Sequence, residues 1–363
     1  MDLAQIKTPT LIIDPIKCYD NIHFMVKKAQ KHNLIFRPHF KTHQSQTVGL
    51  WFKKQGVEQI TVSSVQMAKY FSGIYKDITI AFPVNVREIC DINTLAQNTQ
   101  LNIVIENLES IHFLDKSLKH NTSYYIKIDT GYNRTGVNSE SLDIINDILD
   151  EAGKNMNLQF KGFLCHAGNT YATKDIDEIH TIHNKNLKSL SALRNNYQNK
   201  YPNLIISIGD TPSCSLSDNF EGIDEIRPGN FIFYDLWQHH LGACSFNNIA
   251  VAMACPVVAK HSNRHELIVY GGAIHFSKEY IELKNQKIFG QVVKLTQDGW
   301  VQQNTKNYLT KLSQEHGTIK ADSKLFREIQ VGDLIGIIPI HSCLTANLSD
   351  RYIDTQNQTI EHL

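Results

Sequence analysis

The sequence has 363 residues, of which 42% are hydrophobic and 20% are charged, a composition typical of a soluble globular protein with one large domain and a smaller one. Lys plus Arg and Asp plus Glu both number 36, so no basic excess indicates nucleic-acid binding and no charge block indicates a disordered tail. Because no run of about 18 apolar residues exists, we expect no membrane span, and the N-terminus predicts no signal peptide.

Short apolar, β-branched runs alternate with helix-length segments over the first two thirds of the chain. An early strand is predicted at 9–14, and eight more at 34–40, 59–64, 77–83, 101–107, 124–129, 158–165, 204–209 and about 226–234. Segment 139–155 has apolar residues at helical spacing and opens with a Ser/Glu capping signal. This alternation indicates parallel strands with helical crossovers, and eight repetitions predict a closed (β/α)8 TIM-type barrel. An open doubly wound sheet is the alternative.

The pattern changes after about residue 240. Four runs, "AVAMACPVVAK", "HELIVYGG", "IFGQVVKLT" and "LIGIIPIHS", are strand-like and have few helices between them. They predict a second, mainly β domain.

Polar and glycine-rich residues follow one end of nearly every predicted barrel strand. In a (β/α)8 barrel, functional groups gather at the carboxyl ends of the strands. The residues in these positions are Lys41 and His43, Asn85, Asp129 and Arg134, His166 and Tyr171, Thr211 and Ser213, and Gly229 and Asn230. We expect them to lie around one functional site.

Lys41, in "FRPHFKTH", is the candidate nucleophile. Burial and a nearby cation lower the pKa of a lysine amine, and the free amine can then form a Schiff base with an aldehyde. The alternative is a structural lysine that pairs with Asp or Glu at a strand end.

The stretches "GDTPS" (209–213) and "RPGN" (227–230) together predict a phosphate cradle. Glycine lets the backbone approach an anion closely, and Thr211 or Ser213 can add a hydroxyl hydrogen bond. The alternative is a pair of ordinary turns.

His341 and Cys343 are two residues apart in an apparent strand near the C-terminus, so we expect their side chains to share one face. An imidazole and a thiolate suit zinc, and two protein ligands leave room for water and a substrate oxygen. The alternative is a buried cysteine beside a hydrogen-bonded histidine. Segments 270–279 and 313–317 are further candidates for the edge of the site, with a turn and a loop as the alternatives.

With these motifs in view, the chain resembles the fold-type III pyridoxal-phosphate enzymes of the D-threonine aldolase/D-serine dehydratase group, which are alanine racemase-like. The resemblance covers nearly the full length. It is carried by "RPHFKTH", "DTGYNRTG", "HAGNTY", "GDTPS", "EIRPGNFIFYD", "EHG" and "VGDLIGIIPIHSC", in family order. It implies that the early strand joins the C-terminal part. The predicted domains are therefore a barrel at 15–240 and a β domain made of 1–14 and 241–363.

The resemblance also implies roles for individual residues. Lys41 would hold pyridoxal 5′-phosphate as an imine, and His341 with Cys343 would bind a divalent metal, most simply Zn²⁺. The other implied cofactor-binding residues are Thr211, Gly229 and Asn230 at the phosphate, Arg134 near the ring, Tyr171 over the cofactor or substrate, and His166 from the same motif as Tyr171.

The implied activity is a lyase reaction on β-hydroxy-D-amino acids. His-x-Cys at the metal position favours a D-serine dehydratase-like elimination of water over a D-threonine aldolase-type retro-aldol cleavage, because the aldolases usually have His-x-Asp. Segment 270–279 departs from the small-residue pattern of both groups. An amino-acid racemase, a non-catalytic pyridoxal-phosphate-binding protein and a zinc-dependent barrel hydrolase are the rival classes.

Seven cysteines are scattered without a C-x-x-C pair, which predicts reduced thiols in a cytoplasmic protein. The resemblance further implies a homodimer, with a small D-amino acid as substrate and no nucleic-acid partner.

Overall fold

The computed structural model of the chain describes residues 1–303 and 306–363. They form two compact units. What we call the β unit comprises Met1–Ile22, Thr42–Val48 and Asn230–His362, and the barrel unit comprises His23–Lys41 and Gly49–Gly229 with Leu363. The predicted domain boundaries at residues 15 and 240 stay a prediction.

The first two thirds of the chain alternate between strands and helices. The strands are β1 (Thr10–Ile13), β2 (Ile35–Phe36), β3 (Gln59–Val62), β4 (Asp77–Pro83), β5 (Gln100–Ile105), β6 (Thr122–Asp129), β7 (Val137–Asn138), β8 (Leu158–Cys165), β9 (Ile205–Ile208) and β10 (Glu225–Ile226). The helices are α1 (Pro15–Lys31), α2 (Gln46–Lys54), α3 (Val65–Phe71), α4 (Ile89–Asn98), α5 (Leu108–Ser117), α6 (Leu142–Ala152), α7 (Ile176–Tyr197) and α8 (Thr211–Leu216).

The barrel unit is a parallel barrel, as predicted. Within residues 35–226, all of which are described, eight strands pair in the order β2-β10-β9-β8-β6-β5-β4-β3, with β7 beside β6. A bridge between His39 and Thr61 joins the two ends of this order. Strands β5 and β6 are buried along nearly their whole length, as parallel strands covered on both faces must be. The closed barrel, not the open sheet, is therefore the fold.

Side chains fill the barrel. Val104, Tyr125 and Leu164, from three neighbouring strands, form a buried cluster against Ala81 and Ile205. Burying such side chains contributes about 1.5–3 kcal/mol each relative to exposure. This packed layer supports the carboxyl ends of the strands, where the candidate residues lie.

The last third of the chain is mainly strand. The strands are β11 (Val251–His261), β12 (Glu266–Tyr270), β13 (Ile281–Leu283), β14 (Gln286–Ile288), β15 (Gly290–Thr296), β16 (Gly299–Gln302), β17 (Tyr308–Leu312), β18 (His316–Lys320), β19 (Leu334–Pro339), β20 (Tyr352–Asp354) and β21 (Thr359–Ile360). The short helices are α9 (Leu236–His240), α10 (Ala273–Phe276), α11 (Ser323–Glu328) and α12 (Ser342–Asn347).

One sheet organises the β unit. Its order is β12-β18-β17-β15-β19-β11-β1-β20-β21, with β16 beside β15. Strand β1 pairs antiparallel with β11 and parallel with β20. The early strand at 9–14 therefore lies in this sheet, as the resemblance implied.

Two local predictions were wrong. The eighth barrel strand is only Glu225–Ile226, and Asn230–Ile232 forms a 3-10 turn instead, because Pro228 has no N–H for a strand ladder. Helix α6 begins at Leu142 after Ser141, whose side chain makes no cap hydrogen bond. The Asn138 side chain accepts the Glu140 N–H there, so the predicted Ser/Glu cap is absent.

Among the described residues, no helix combines the length and the apolar character needed to cross a bilayer.

Candidate functional site

The two histidines around Lys41 shape the backbone of the turn that follows β2. The Lys41 N–H lies 3.4 Å from His39 Nδ1, and the Ser45 N–H donates to His43 Nδ1 at 3.1 Å. Each imidazole thus accepts an N–H two residues further along the chain. Burial lowers the pKa of His43 to about 3, so this ring stays neutral at pH 7 and keeps an acceptor nitrogen.

Lys41 itself is exposed, although its setting suggested partial desolvation. The reason is its position in a turn beyond the last residue of β2, where the chain leaves the strand. Its charge nevertheless acts on His166, since it helps to lower the pKa of that ring. The amine therefore lies on the same side of the barrel unit as His166.

His166 follows β8 and is held as a neutral ring. Its Nδ1 bonds the carbonyl oxygen of Gly209. Burial, followed by the charges of Lys41 and Lys127, holds its pKa well below the usual value. Nδ1–H therefore donates to the carbonyl, and Nε2 is left as an acceptor. The ring lies 6.1 Å from the Tyr132 ring and 6.4 Å from the Tyr171 ring, centroid to centroid.

Two hydroxyl groups at the start of α8 fit a phosphate. Thr211 Oγ1 is buried without a hydrogen-bond partner among the described residues. Ser213 Oγ is also buried, and its hydroxyl is close enough to Asp210 to help lower the pKa of that carboxyl; both residues are 0% exposed. Such groups cost free energy unless a ligand or water bonds them. Asp210 caps the turn by accepting the Ser213 N–H at 2.8 Å, and the Thr211 N–H donates to the Tyr171 phenol at 3.1 Å. Tyr171 and Thr211 are thus neighbours, as one site requires.

Close backbone approach explains the glycine that precedes these hydroxyls. A Cβ atom at Gly209 would lie 2.9 Å from both Cβ and the carbonyl oxygen of Arg227. Arg227 is buried and donates to Ser207 Oγ and to the Cys165 carbonyl, each at 2.6 Å. It ties β8, β9 and the end of β10 together.

Sequence reasoning missed two buried cations of the barrel unit, Arg227 and Lys127. Burial lowers the pKa of Lys127 to about 8. The alternation of side chains along β6 was the available signal, because it puts Lys127 on the same face as Asp129. Both cations favour an anionic ligand at this end of the barrel.

The "DTGYNRTG" loop is folded around Asp129. Its carboxylate accepts the N–H groups of Gly131, Tyr132 and Asn133 at 2.9–3.2 Å. Arg134 is exposed, with its guanidinium 5.0 Å from the centre of the Tyr132 ring. Its charge contributes to the lowered pKa of His166, so Arg134 belongs to the same end of the barrel.

The predicted site residues fall into two sets. The barrel unit holds Lys41, Arg134, His166, Tyr171, Thr211 and Gly229, and the β unit holds Asn230, His341 and Cys343. Within the barrel unit, hydrogen bonds and ring contacts connect Arg134, His166, Tyr171 and Thr211. Lys41 is connected to them only through the effect of its charge on His166.

Asn230 contacts the thiol in the β unit. Its Nδ2 donates to Asp235 at 2.6 Å and Ser342 Oγ at 3.0 Å, and lies 3.5 Å from Cys343 Sγ. Its Oδ1 is buried with no partner in the described part of the chain. The side chain of Asn230 is thus engaged within the β unit, and the phosphate role expected for this residue stays a prediction.

His341 and Cys343 lie together, but not in a strand as predicted. Strand β19 ends at Pro339, His341 is the N-cap of α12, and Cys343 lies in its first turn. The Asp235 carboxylate accepts the Ser342 N–H at 2.9 Å, which turns the chain into the helix. The two side chains still hydrogen-bond each other.

The pair has the charges of a metal site. Burial alone would lower the pKa of His341, but hydrogen bonds to Cys343 and Glu279 raise it to about 11. Burial would likewise raise the pKa of Cys343, but the bond to His341 lowers it below the usual value. A cysteine whose pKa is lowered beside a histidine fits zinc, which would displace the proton from the imidazole on binding. No cluster of three or more His, Cys, Asp or Glu suited to a metal occurs in residues 1–303 and 306–363.

Two partners of this pair were not predicted. Thr42, the residue after Lys41, places Oγ1 3.2 Å from Cys343 Sγ. Glu279 accepts from His341 Nδ1 at 2.7 Å. The sequence offered one weak signal, since segment 270–279 was already a candidate for the edge of the site.

Comparison with known families identifies the class. The family described as "Alanine racemase, N-terminal domain" matches residues 13–236, and the chain belongs to this family. The "Putative serine dehydratase domain" matches residues 250–354. The chain thus combines the racemase-type barrel with a C-terminal domain of the serine dehydratase type.

Individual relatives agree with this assignment. A D-serine dehydratase of Dictyostelium discoideum is 29% identical over 99% of this chain and 96% of its own. The D-threo-3-hydroxyaspartate dehydratase of Delftia sp. is 24% identical over 94% of this chain and 92% of its own. Its solved structure has a TM-score of 0.90 at 22% identity, covering 99% of this chain and 98% of that one.

An aldolase has the same fold. The D-threonine aldolase from Filomicrobium marinum has a TM-score of 0.85 at 19% identity, covering 99% of this chain and 95% of that one. Among the solved structures similar to this chain is a cysteine variant of the Delftia enzyme in a metal-free form.

Proposed function

We propose that the chain is a pyridoxal-phosphate- and metal-dependent lyase that removes water from β-hydroxy-D-amino acids, with D-serine as the type substrate, to give a 2-keto acid and ammonia. The observation that carries the proposal is the His341–Cys343 pair, in a chain similar over 99% of its length to a D-serine dehydratase. The aldolase reaction is the second candidate, because an aldolase shares the fold.

The barrel unit fits pyridoxal phosphate. Thr211 Oγ1 offers an unused hydroxyl to the phosphate, and we propose Ser213 Oγ and the Gly229–Asn230 backbone as further donors. We propose Arg134, His166 and Tyr171 as the residues around the ring, with Lys41 as its covalent anchor. When bound, the cofactor would act as the electron sink for negative charge at the substrate Cα.

Side chains of the barrel unit would then transfer the protons of the reaction. Lys41, an exposed amine, is the proposed base for the Cα proton. His166 remains neutral, so it adds no cation beside that amine and can accept a hydrogen bond through Nε2. Lys127 and Arg227 supply positive charge that favours an anionic substrate.

The β unit would bind the metal. His341 and Cys343 would hold a zinc ion, whose Lewis acidity would make the β-hydroxyl a better leaving group. The metal-free cysteine variant of the Delftia dehydratase supports a cysteine ligand in this family. Asn230 and Thr42 both contact the thiol and would hold it in place.

We also infer a homodimer that works in the cytoplasm. All seven cysteines are free thiols, which suits a reducing compartment, and the dimer rests on the family resemblance alone. Sedimentation velocity of the purified protein measures the subunit number.

Product analysis tests the reaction. With D-serine, the purified protein should release pyruvate and ammonia in equal amounts, and D-threonine should give 2-oxobutanoate and ammonia. Lys41→Ala should lose at least about 1,000-fold in kcat, because both the proposed anchor and the base are removed. Glycine and an aldehyde, with no keto acid, would replace the dehydratase by the aldolase.

A further inference from the structure

Segment 270–279, which we call the arm, is hydrogen-bonded along its length and ends at the His341–Cys343 pair. Helix α10 is a single turn in which His275 Nδ1 accepts the Gly272 N–H at 3.1 Å. The Ala273 N–H donates to the Ser313 carbonyl at 2.8 Å, and Ser277 Oγ accepts the Glu279 N–H at 3.2 Å. Each of these hydrogen bonds restrains the backbone of the arm between Gly272 and Glu279.

The arm is attached to α12 at two points. Glu279 Oε2 lies 2.7 Å from His341 Nδ1, and Thr345 Oγ1 lies 3.4 Å from the Phe276 carbonyl oxygen. His341 and Thr345 are four residues apart, so they lie on one face of the α12 turn. The arm therefore presents a carboxylate to the imidazole in a defined position.

We propose that Glu279 is a positioning residue of the metal site. Its carboxylate accepts the Nδ1–H of His341 and so fixes both the ring orientation and the tautomer in which Nε2 is left for the metal. A carboxylate behind a ligating histidine generally does this, and it makes the imidazole a stronger ligand. The inference rests on the proposed metal role of His341 and Cys343.

Charge balance supports this role. A metal-ligating Cys343 would be a thiolate, and together with the Glu279 carboxylate it would carry two negative charges, which would compensate a divalent cation held by a neutral imidazole. The competing explanation is a surface ion pair with protonated His341, since the Glu279 side chain is 46% exposed. In that case Glu279 would compete with the metal, because a protonated ring cannot bind it.

Zinc affinity separates these explanations. The purified full-length protein, stripped with EDTA and dialysed, is titrated with ZnCl₂ against a chromogenic chelator at pH 7.5. Glu279→Ala should raise the zinc Kd about 10- to 100-fold. Glu279→Gln should raise it less, because the amide oxygen still accepts from Nδ1–H. Glu282→Gln, an exposed glutamate three residues further on, is the matched control and should leave the Kd unchanged.

Two results would overturn the inference. A zinc Kd for Glu279→Ala equal to or lower than that of the wild type would show that Glu279 does not support the metal. Thermal unfolding in EDTA confirms that the variants are folded, and the isosteric Gln variant serves if the Ala variant is not.

The His341→Ala variant distinguishes a failure of the proposed metal site from a failure of the role proposed for Glu279. If it still binds zinc at full affinity, the proposed metal pair fails together with the inference. If it does not, an unchanged Glu279→Ala refutes the inference alone.

Discussion

Three histidines of this chain have different hydrogen-bonding roles, which the residue type alone does not predict. His43 accepts a backbone N–H in a fully buried place, His166 donates to a carbonyl beside cations, and His341 pairs with a carboxylate and a thiol. In the first two, burial is the largest influence and lowers the pKa. In the third, hydrogen bonds outweigh burial and raise it. The local partner, not the exposure alone, decides the charge.

His43 should make the fold acid-sensitive. Its folded pKa is about 3, below the unfolded value of about 6.5. The unfolded chain therefore binds the extra proton first, and stability is full above about pH 6.5 and lost as the pH falls towards 3. The free energy of unfolding in urea should drop by about 2 kcal/mol between pH 7 and pH 5 from this residue.

Two histidine variants test whether His43 causes this pH dependence of the unfolding free energy. His43→Gln should flatten the pH dependence of the unfolding free energy, whereas His23→Gln, at an exposed position, should leave it unchanged. Equal slopes for the wild type and His43→Gln would contradict the account.

At the scale of elements, strand β8 connects packing to chemistry. It pairs with β6 and β9 on either side and ends next to His166. A register shift in the β6–β8 pairing falls between the pairs Tyr124–Phe160 and Tyr125–Gly162, and the φ of Gly162 is 151°. A Cβ at this position would lie 1.9 Å from the Ile205 carbonyl oxygen, so only glycine allows β8 and β9 to pair here.

Gly162→Ala should therefore destabilise the barrel unit strongly. We expect a loss of about 3 kcal/mol or more in unfolding free energy, because the clash involves backbone atoms that cannot move without breaking the pairing. The urea midpoint measures it. Gly73→Ala is the control, since a Cβ there meets nothing within 4 Å. A midpoint for Gly162→Ala that matches this control would show that the strands adjust freely.

Element boundaries also show where sequence reasoning succeeds and fails. Runs such as 77–83 and 158–165 were predicted to the residue, because each is a short run rich in apolar residues with helix-length segments on either side. The run at 226–234 failed since Pro228 interrupts it. His341 was misplaced because the capping carboxylate, Asp235, comes from 107 residues away, a distance that no local pattern encodes.

At the scale of the whole molecule, the sequence predicted both the eight-stranded barrel and the separate β sheet, including the early strand that joins it. Strand count and periodicity carry that information. Motifs mark the predicted site residues such as Lys41, Thr211 and Cys343, whose roles stay predictions. Glu279, Lys127 and Arg227 were missed, because their significance arises from contacts between distant segments and from burial.

Covalent trapping shows whether Lys41 carries the cofactor. The purified protein, incubated with pyridoxal phosphate, is reduced with borohydride, digested and analysed by mass spectrometry. We predict a phosphopyridoxyl group on the peptide that contains Lys41, and its absence in Lys41→Ala. A modification on Lys127, the buried amine with a pKa of about 8, or on no lysine at all, would contradict the account.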